Sequence, residues 1–545
     1  MQKARPDLQT TLTDELIDLR VRGGEWPNKT IVGLARDQAS RYPDRVALHE
    51  GDIHLTNGQI WRLANKLAAS LKARGVKAGD IVAMQLPNWA ETSIIYLAAG
   101  LTGAILNPIL PILRDKEVSF MLRDSGARVL FIPERFRNFS YVDMIDRIRD
   151  DLPKLESVVI LRGEAGKHSA WDALIDVDLP LPLWPESDPN DVKIVMYTSG
   201  TTGRPKGVMH THNTLQAEIL TYLTSWELGA DDVIFMASPV SHITGCLLAF
   251  ELPWASNSPV VLQEKWDAGQ AIDLFLKYGV TFTSSSTPFL RELLDAAKAR
   301  NEHLLGFKRF VCGGMAIPPQ LILDAHEWFR NATIGRCCGM TEVPAITIAI
   351  KSREQIALGA GTDGILSPGT EVRICDPKTG AQLPPGVEGE IIARAPEQFV
   401  GYFRPEDNQG AFTEDGFFLT GDIGILSAEN CLSITGRKKD LIIRGGENIS
   451  AREIEDALSE HEAIAEVAVV AMPHERLGEG VACFIVLKEG RSIDQSEVAR
   501  YLNSLSIARQ KIPERVEIAA ELPRNIQGKV LKNILRDRMR ELCAA

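Results

Sequence analysis

Eight cysteines are scattered through the 545 residues, but no two of them form a C-x-x-C pair. The usual spacing of a structural zinc site or a dithiol redox centre is therefore missing. Cys337 and Cys338 are adjacent, which suits neither a simple disulfide nor a zinc site. The thiols read as free groups of a reducing cytoplasm, the expected location of the protein. The N-terminus, Met1-Gln2-Lys3-Ala4-Arg5-Pro6-Asp7, lacks an apolar core and is not expected to act as a signal peptide. Repeats and low-complexity tracts are missing as well. So is any excess of positive charge, since the formal net charge is −12. Such a chain repels phosphate backbones over most of its surface, so no nucleic-acid partner is expected. Basic residues do cluster near residue 437, where they could hold a smaller anion.

One run lacks charge altogether. Residues 92–113 contain no Asp, Glu, Lys or Arg and are long enough for a membrane-spanning helix. Gly100, Gly103, Asn107, Pro108 and Pro111 interrupt the run. It predicts a buried helix ending near Gly103, then a short strand and a proline-rich turn. Surface attachment to a membrane stays open, and so does the oligomeric state.

The remaining composition is globular, 45% hydrophobic and 24% charged, and the length calls for at least two domains. Short apolar runs alternate with helical patterns between residues 190 and 340. Strands are expected over 193–197, 233–237, 259–262, 280–283 and 309–312, and helices over 213–226, 268–277, 288–300 and 318–329. Such alternation predicts a parallel sheet covered by helices, with a second sheet of the same type over 31–132. Short strands at 372–375, 389–393, 417–419 and 431–435, separated by Pro, Gly and Asp turns, predict a small antiparallel or barrel-like unit. A third texture follows, with helices over 454–458 and 530–540 and strands over 467–472 and 482–487. The expected fold class is α/β. A large N-terminal domain, 1–436, combines helix-covered, mostly parallel sheets with the small barrel-like unit. A small α+β C-terminal domain covers 437–545.

The segment Thr198-Ser199-Gly200-Thr201-Thr202-Gly203-Arg204-Pro205-Lys206-Gly207 follows a buried strand. Small hydroxyl and glycine residues let backbone N–H groups approach phosphate oxygens, and Lys206 would add a point charge. Its spacing is not that of the Walker loop.

With this segment in place, the sequence resembles the acyl-adenylate-forming superfamily of acyl-CoA synthetases, peptide-synthetase adenylation domains and firefly-type luciferases. The resemblance runs from about residue 30 to 540. It rests also on Gly339-Met340-Thr341-Glu342, Leu419-Thr420-Gly421-Asp422 and Gly436-Arg437-Lys438-Lys439-Asp440. Gly445-Gly446-Glu447-Asn448-Ile449 and Leu522-Pro523-Arg524-Asn525-Ile526-Gln527-Gly528-Lys529 complete the set. The pattern looks closest to ligases for medium-chain fatty acids or alicyclic acids such as cyclohexanecarboxylate.

The resemblance implies ATP, magnesium and coenzyme A as cofactors and a small carboxylic acid as substrate. Adenylation brings two anions together, so cations and donors must stabilise charge building on the phosphate. Glu342 is implied as magnesium ligand with Thr201, and Thr341 and Thr201 as hydroxyl donors to phosphate. Thr198, Ser199, Gly200, Thr202, Gly203, Lys206, Gly339 and Met340 complete the implied nucleotide site. Asp422 would accept from both ribose hydroxyls, with Arg437 reaching the same ribose. Lys529 would bridge the substrate carboxylate and the α-phosphate. Lys439 matches the hinge, and Gly445 and Gly446 would line a tunnel for the pantetheine thiol. The implied acyl pocket comprises His242, Ile243, Ser284 to Thr287, Gly313, Gly314, Met315 and Met340. That set is small or apolar, which favours an uncharged chain or ring. No Asp stands in Ala237–His242 to pair with the ammonium of an amino acid.

Cys338 departs from the pattern, which usually has Tyr or Trp there to stack on adenine, and a thiol offers less contact area. Gly359-Ala360-Gly361-Thr362-Asp363-Gly364 matches a dinucleotide fingerprint but follows a helix-like segment instead of a strand. His210-Thr211-His212 has no third metal ligand nearby and reads as a helix start. Three functions remain open at this point: a free acid–CoA ligase, a ligase delivering acyl-AMP to a carrier protein, and a silent nucleotide-binding regulator.

Overall fold

A computed structural model of the chain describes residues 5, 8–176, 179, 180, 182–184, 186–198, 204–314, 317–444, 447–505, 507–524 and 529–544. These fall into two compact units. One consists of Met1–Glu371 with Arg394–Gly416, the other of Val372–Ala393 with Phe417–Ala545.

The first unit holds two seven-stranded sheets. In one, the strands run in the order Lys206–Thr211, Val192–Thr198, Ile105–Pro108, Ile81–Met84, Val129–Pro133, Ser157–Leu161 and Ser169–Ala170. All neighbours are parallel except the first pair. Ile81–Met84, Ile105–Pro108 and Val129–Pro133 are buried at every position, as strands covered on both faces must be. Their residues divide by period two. Val82, Leu106, Val129 and Phe131 join one core, while Ile81, Ile105, Leu130 and Ile132 join the other.

The second sheet runs Thr333–Arg336, Arg309–Cys312, Phe282–Ser285, Ile234–Met236, Val260–Leu262, Val46–Glu50 and Ile53–Thr56. Only its last strand is antiparallel to its neighbour. The alternation read from the sequence over residues 190–340 is therefore present, with strand and helix ends displaced by at most two residues.

The uncharged run resolves as expected. Helix Ala90–Thr102 is terminated by Gly103, whose φ of +69° is one that glycine adopts without strain. Strand Ile105–Pro108 follows. Among the described residues, no helix is long and apolar enough to cross a membrane.

The second unit contains all but the end residues Glu371 and Arg394 of a four-stranded sheet, Glu371–Cys375, Gly389–Arg394, Phe418–Leu426 and Leu432–Arg437, antiparallel in its last two pairings. Phe418–Leu426 is far longer than the strand expected over 417–419. Gly421, at φ +70°, and a register shift at Ile423/Gly424 absorb what reads in sequence as a turn. A five-stranded sheet follows, built on the long hairpin Ile464–His474 and Gly478–Leu487. Its two faces again separate by period two. Val469, Val481 and Cys483 meet helices Ala451–Ser459 and Gln495–Ser504, whereas Val470, Ala482 and Phe484 meet Leu535 and Met539 of helix Lys532–Ala544.

Candidate active site

In the first unit the described ends of the phosphate-loop candidate belong to two antiparallel strands, Val192–Thr198 and Lys206–Thr211. Thr198 stands opposite Lys206 in the antiparallel ladder. Ser199, Gly200, Thr201, Thr202 and Gly203 lie outside the described residues. Gly207 is required by packing, since a Cβ there would meet Val195 Cγ1 at 2.9 Å and Phe403 Cβ at 3.0 Å. Residues 400–403 run beside this strand. Val400 N–H donates to Met209 O at 2.9 Å, Met209 N–H to Gly401 O at 3.1 Å and Phe403 N–H to Gly207 O at 2.7 Å.

That register places Tyr402 between two candidates. The Lys206 ammonium lies 4.7 Å from the ring centroid, within cation–π range. The Tyr402 hydroxyl donates to Glu342 Oε1 at 2.8 Å. Burial, then the Glu342 carboxylate, push the Tyr402 hydroxyl far above the usual phenol range, so it stays a donor. Lys206 and Glu342 are thus set on either side of one side chain that sequence reasoning missed.

The Gly339–Glu342 segment is tightly fixed. A Cβ on Gly339 would fall 1.9 Å from the Pro344 carbonyl oxygen, so no other residue fits. Met340 N–H donates to Val343 O at 2.9 Å, and Phe399 N–H to the Glu342 carbonyl at 2.8 Å. His210 Nε2 donates to Thr341 O at 2.7 Å, which leaves Nδ1, 3.1 Å from Thr214 Oγ1, as the acceptor. Burial lowers its pKa to about 4, so the ring is neutral.

The helix-start reading of His210-Thr211-His212 holds for Thr211, which caps helix His212–Ser225. His210 does something further, tying strand Lys206–Thr211 to the carbonyl of Thr341. A polar residue inside an otherwise apolar buried strand was the available signal. Cys338 is buried, and its backbone exchanges bonds with Thr347. The decoy at Gly359 lies in helix Ile356–Gly361, with no strand immediately before it.

The acyl-pocket candidates gather at the carboxyl ends of adjacent parallel strands. Ser284 and Ser285 end strand Phe282–Ser285, and Gly313 and Gly314 follow strand Arg309–Cys312. The Gly339–Glu342 segment follows the next strand, Thr333–Arg336. This is where open parallel sheets bind ligands. Ser286 occupies the N-cap position of helix Thr287–Ala299. A Cβ on Gly313 would meet Cys337 Sγ at 2.8 Å. His242 precedes the turn Ile243–Cys246, and its Nδ1 accepts from Thr244 N–H at 3.4 Å. Its ring keeps open surface yet is surrounded by protein, as on a concave wall, and that enclosure lowers its pKa and keeps it neutral. Ile243 is buried. Met315 lies outside the described residues.

Among the described residues, no group of three His, Cys, Asp or Glu could hold a metal. Magnesium does not require one, because it is commonly held by one or two carboxylates with waters and substrate phosphates. The Glu342 carboxylate, bonded to the Tyr402 on which Lys206 rests, fits that donor set.

The second unit carries the other candidates. Asp422 is buried and stands opposite Arg437 in the ladder, with Arg437 Nε 2.6 Å from Asp422 Oδ1. Asp422 N–H donates to Thr420 Oγ1 at 3.0 Å, and the Thr420 hydroxyl donates to Ile391 O at 2.7 Å. Lys439 sits in a single turn, Lys438–Asp440. Lys438 pairs with Glu390 at 2.7 Å. Arg536, from the closing helix, donates to Lys439 O at 2.8 Å and to Asp440 Oδ1 at 3.1 Å. Lys529 keeps exposed surface, yet partial desolvation and then the charges of Arg437 and Lys439 push its pKa down, against Asp422 and Asp440. It therefore lies in the electrostatic neighbourhood of the proposed ribose-binding pair. Gly445 and Gly446 lie outside the described residues.

Residues 35–403 match the protein family described as AMP-binding enzyme, and residues 453–529 match the AMP-binding enzyme C-terminal domain. The chain belongs to the AMP-binding enzyme family. Its resemblance to acyl-adenylate-forming enzymes, and the α/β architecture that this implied, are thereby established. Among relatives of this AMP-binding enzyme, the medium-chain fatty-acid–CoA ligase of Escherichia coli is 33% identical over 525 residues, covering 95% of this chain and 92% of the relative. Indoleacetate–CoA ligase of Aromatoleum aromaticum is 32% identical over 495 residues, 91% of this chain and 95% of the relative. The o-succinylbenzoate CoA synthetase of Bacillus subtilis, solved with its acyl-adenylate intermediate, matches at a TM-score of 0.82 and 26% identity, over 94% of this chain and 98% of that one. The same synthetase with ATP and magnesium gives 0.80 at 26% identity, over 92% and 98%.

Proposed function

We propose that this AMP-forming acyl-CoA synthetase activates an apolar carboxylic acid, whether medium-chain, alicyclic or aromatic, and transfers the acyl group to coenzyme A. The observation that carries the reading is the convergence of the Thr198/Lys206 hairpin, Glu342 and the pocket segments in one family-matched unit. An oxygen of the acid attacks the α-phosphorus of ATP, the bond to the bridging oxygen breaks, and pyrophosphate leaves with that electron pair. The thiol sulfur of coenzyme A then attacks the acyl carbon, its proton passes to solvent or base, and AMP leaves.

In this scheme Lys206 and the hydroxyls of Thr198 and Thr201 bind phosphate oxygens, with Thr202 and backbone groups of 199–203 as further donors. Glu342, with Thr201, would hold magnesium, whose charge would neutralise the phosphates, and the Thr341 hydroxyl would donate to a phosphate oxygen. Asp422 and Arg437 take the ribose. Lys529 binds the acid's carboxylate and the α-phosphate during adenylation. Residues 437–545 would then turn about Lys439, withdrawing Lys529 and presenting Gly445 and Gly446 to the thiol arm. His242, Ile243, Gly313, Gly314, Met315 and Met340 would line the acyl pocket. Coenzyme A is favoured as acceptor because the relatives named above are themselves CoA ligases.

Pyrophosphate release is the test, measured with ATP and magnesium over linear, alicyclic and aromatic acids with and without coenzyme A. Release requiring both an apolar acid and coenzyme A is expected. Release indifferent to coenzyme A would move the reading to a carrier-protein acceptor, and silence over the whole panel would overturn it. Lys529→Ala is expected to lower acid-dependent pyrophosphate release at least ~100-fold, the scale of a lost transition-state contact. Turnover of supplied acyl-AMP with coenzyme A is expected to persist in that variant, and an equal loss in both assays would remove the assigned role.

A further inference from the structure

Helix His212–Ser225 is buried nearly all round and carries two long polar side chains into the core of the first unit. One of them is well satisfied. Gln216 bonds to Glu251, a fully buried carboxylate on the π-helical turn Leu247–Glu251, which Lys193 also meets at 2.5 Å and Tyr96 bonds. The other is not. Glu218 is 0% exposed, and neither carboxyl oxygen has a hydrogen-bond partner. The Tyr222 hydroxyl, one turn on, is oriented as a weak donor that opposes the rise of the Glu218 pKa, but it stays beyond hydrogen-bond distance and angle. A buried polar group without a partner costs ~1–3 kcal/mol, so its retention calls for an explanation.

Its surroundings supply one. Glu218 acts electrostatically on Cys337, whose sulfur fills the space where a Gly313 Cβ would be. Gly313 belongs to the candidate acyl pocket at the strand ends. Glu218 also lies six residues along the helix from His212, ~9 Å at the usual helical rise. The helix starts next to His210, the residue that holds Thr341 at the phosphate end. The carboxyl therefore sits on the helix that leads away from the His210–Thr341 contact, and its charge reaches the Cys337 that packs on the pocket glycine.

We propose that Glu218 is a specificity-determining residue that selects acids bearing a neutral hydrogen-bonding group, a hydroxyl or keto oxygen, on the acyl portion remote from the carboxylate. This rests on the ligase reading above and narrows it. The sequence showed no acid in Ala237–His242, and the acid proposed here comes from a different element. Burial raises Glu218 to about 7, so near neutrality the carboxyl can donate as well as accept. Glu397, also buried, is raised too, by burial and then by the Glu218 charge, so the pair disfavours double ionisation. A site built to bond a substrate hydroxyl discriminates strongly against the analogue lacking it.

The test compares kcat/KM, by pyrophosphate release, for octanoate and its ω-hydroxy, (ω−1)-keto and ω-amino derivatives. Cyclohexanecarboxylate and its four-hydroxy derivative form a second matched set. The wild type is expected to favour at least one neutral hydroxy or keto acid over its parent by ~10-fold or more. Glu218→Leu is expected to reverse that ratio, and Glu218→Gln, which still donates and accepts, to preserve it. Glu218→Leu is also expected to melt at or above the wild-type temperature, because it removes an unpartnered buried carboxyl.

A Glu218→Leu ratio unchanged from wild type, with normal release, overturns the proposal and leaves the ligase intact. So does a wild type that prefers the parents. Preference for the ω-amino acid assigns a cationic ligand and overturns the neutral class. A Glu218→Leu protein melting several degrees lower assigns a structural role. Silence with every acid overturns the ligase reading, and this inference with it.

Discussion

Two buried titratable side chains pull the pH dependence of stability in opposite directions. His210 is held neutral with a folded pKa of about 4, so between there and 6.5 the unfolded chain binds more protons. Its contribution is present above pH 6.5 and is lost as pH falls through that window. Glu218, raised from 4.5 to about 7, holds its proton more tightly when folded. Stability is then present below pH 4.5 and lost as pH rises through 7. Each effect is at most ~3 kcal/mol. Denaturant titrations of Glu218→Gln and wild type across pH 4.5 to 8 are expected to diverge as pH rises, with the variant the more stable at pH 8. Parallel curves would mean that Glu218 already has a partner in solution. Gly339→Ala is expected to abolish adenylation or folding, since its Cβ would overlap the Pro344 carbonyl oxygen; wild-type pyrophosphate release would contradict that packing. At this scale the sequence was legible only where a motif carried the residue. Lys206, Glu342 and Asp422 became candidates in this way. His210, Glu218 and Tyr402 matter through what surrounds them once the chain has folded, which residue order does not display.

At the scale of elements, the hairpin that carries Lys206 and the turn at Lys439 are governed differently. The hairpin is fixed by sheet register on one side and by residues 400–403 on the other. The Lys438–Asp440 turn is held by Arg536 through the Lys439 carbonyl and the Asp440 side chain. Arg536→Ala removes both bonds. Pre-steady-state measurements are expected to show its two half-reactions changing unequally, with melting lowered by only a few degrees. Lys439→Pro, which locks the torsion itself, is expected to stop one half-reaction almost completely. Normal rates for both steps in that variant would refute the proposed turning. Most strands and helices were legible from periodicity, because burial on both faces writes an apolar run. Phe418–Leu426 was not, because its glycines and Asp422 carry the composition of a turn while the neighbouring strands hold it in the sheet.

For the molecule as a whole, the chain leaves the first unit at Glu371, returns for Arg394–Gly416 and leaves again. Such an excursion is invisible to composition, because each crossing occurs within locally ordinary sequence. The superfamily and its layered sheets, by contrast, were legible throughout. All eight cysteines are free, and only Cys543 is exposed. Native protein is expected to present one fast-reacting thiol, abolished in Cys543→Ser, and eight after unfolding. Several fast thiols in the native state would contradict the burial described here. The strand Ile105–Pro108 raises a question about biosynthesis. It lies between Ile81–Met84, made before it, and Val192–Thr198, made long after. At ~5–20 residues per second, an apolar strand edge emerges from the ribosome several seconds before its second neighbour exists. That interval is when the nascent chain is most open to self-association, and when a chaperone that shields apolar segments would most improve its yield.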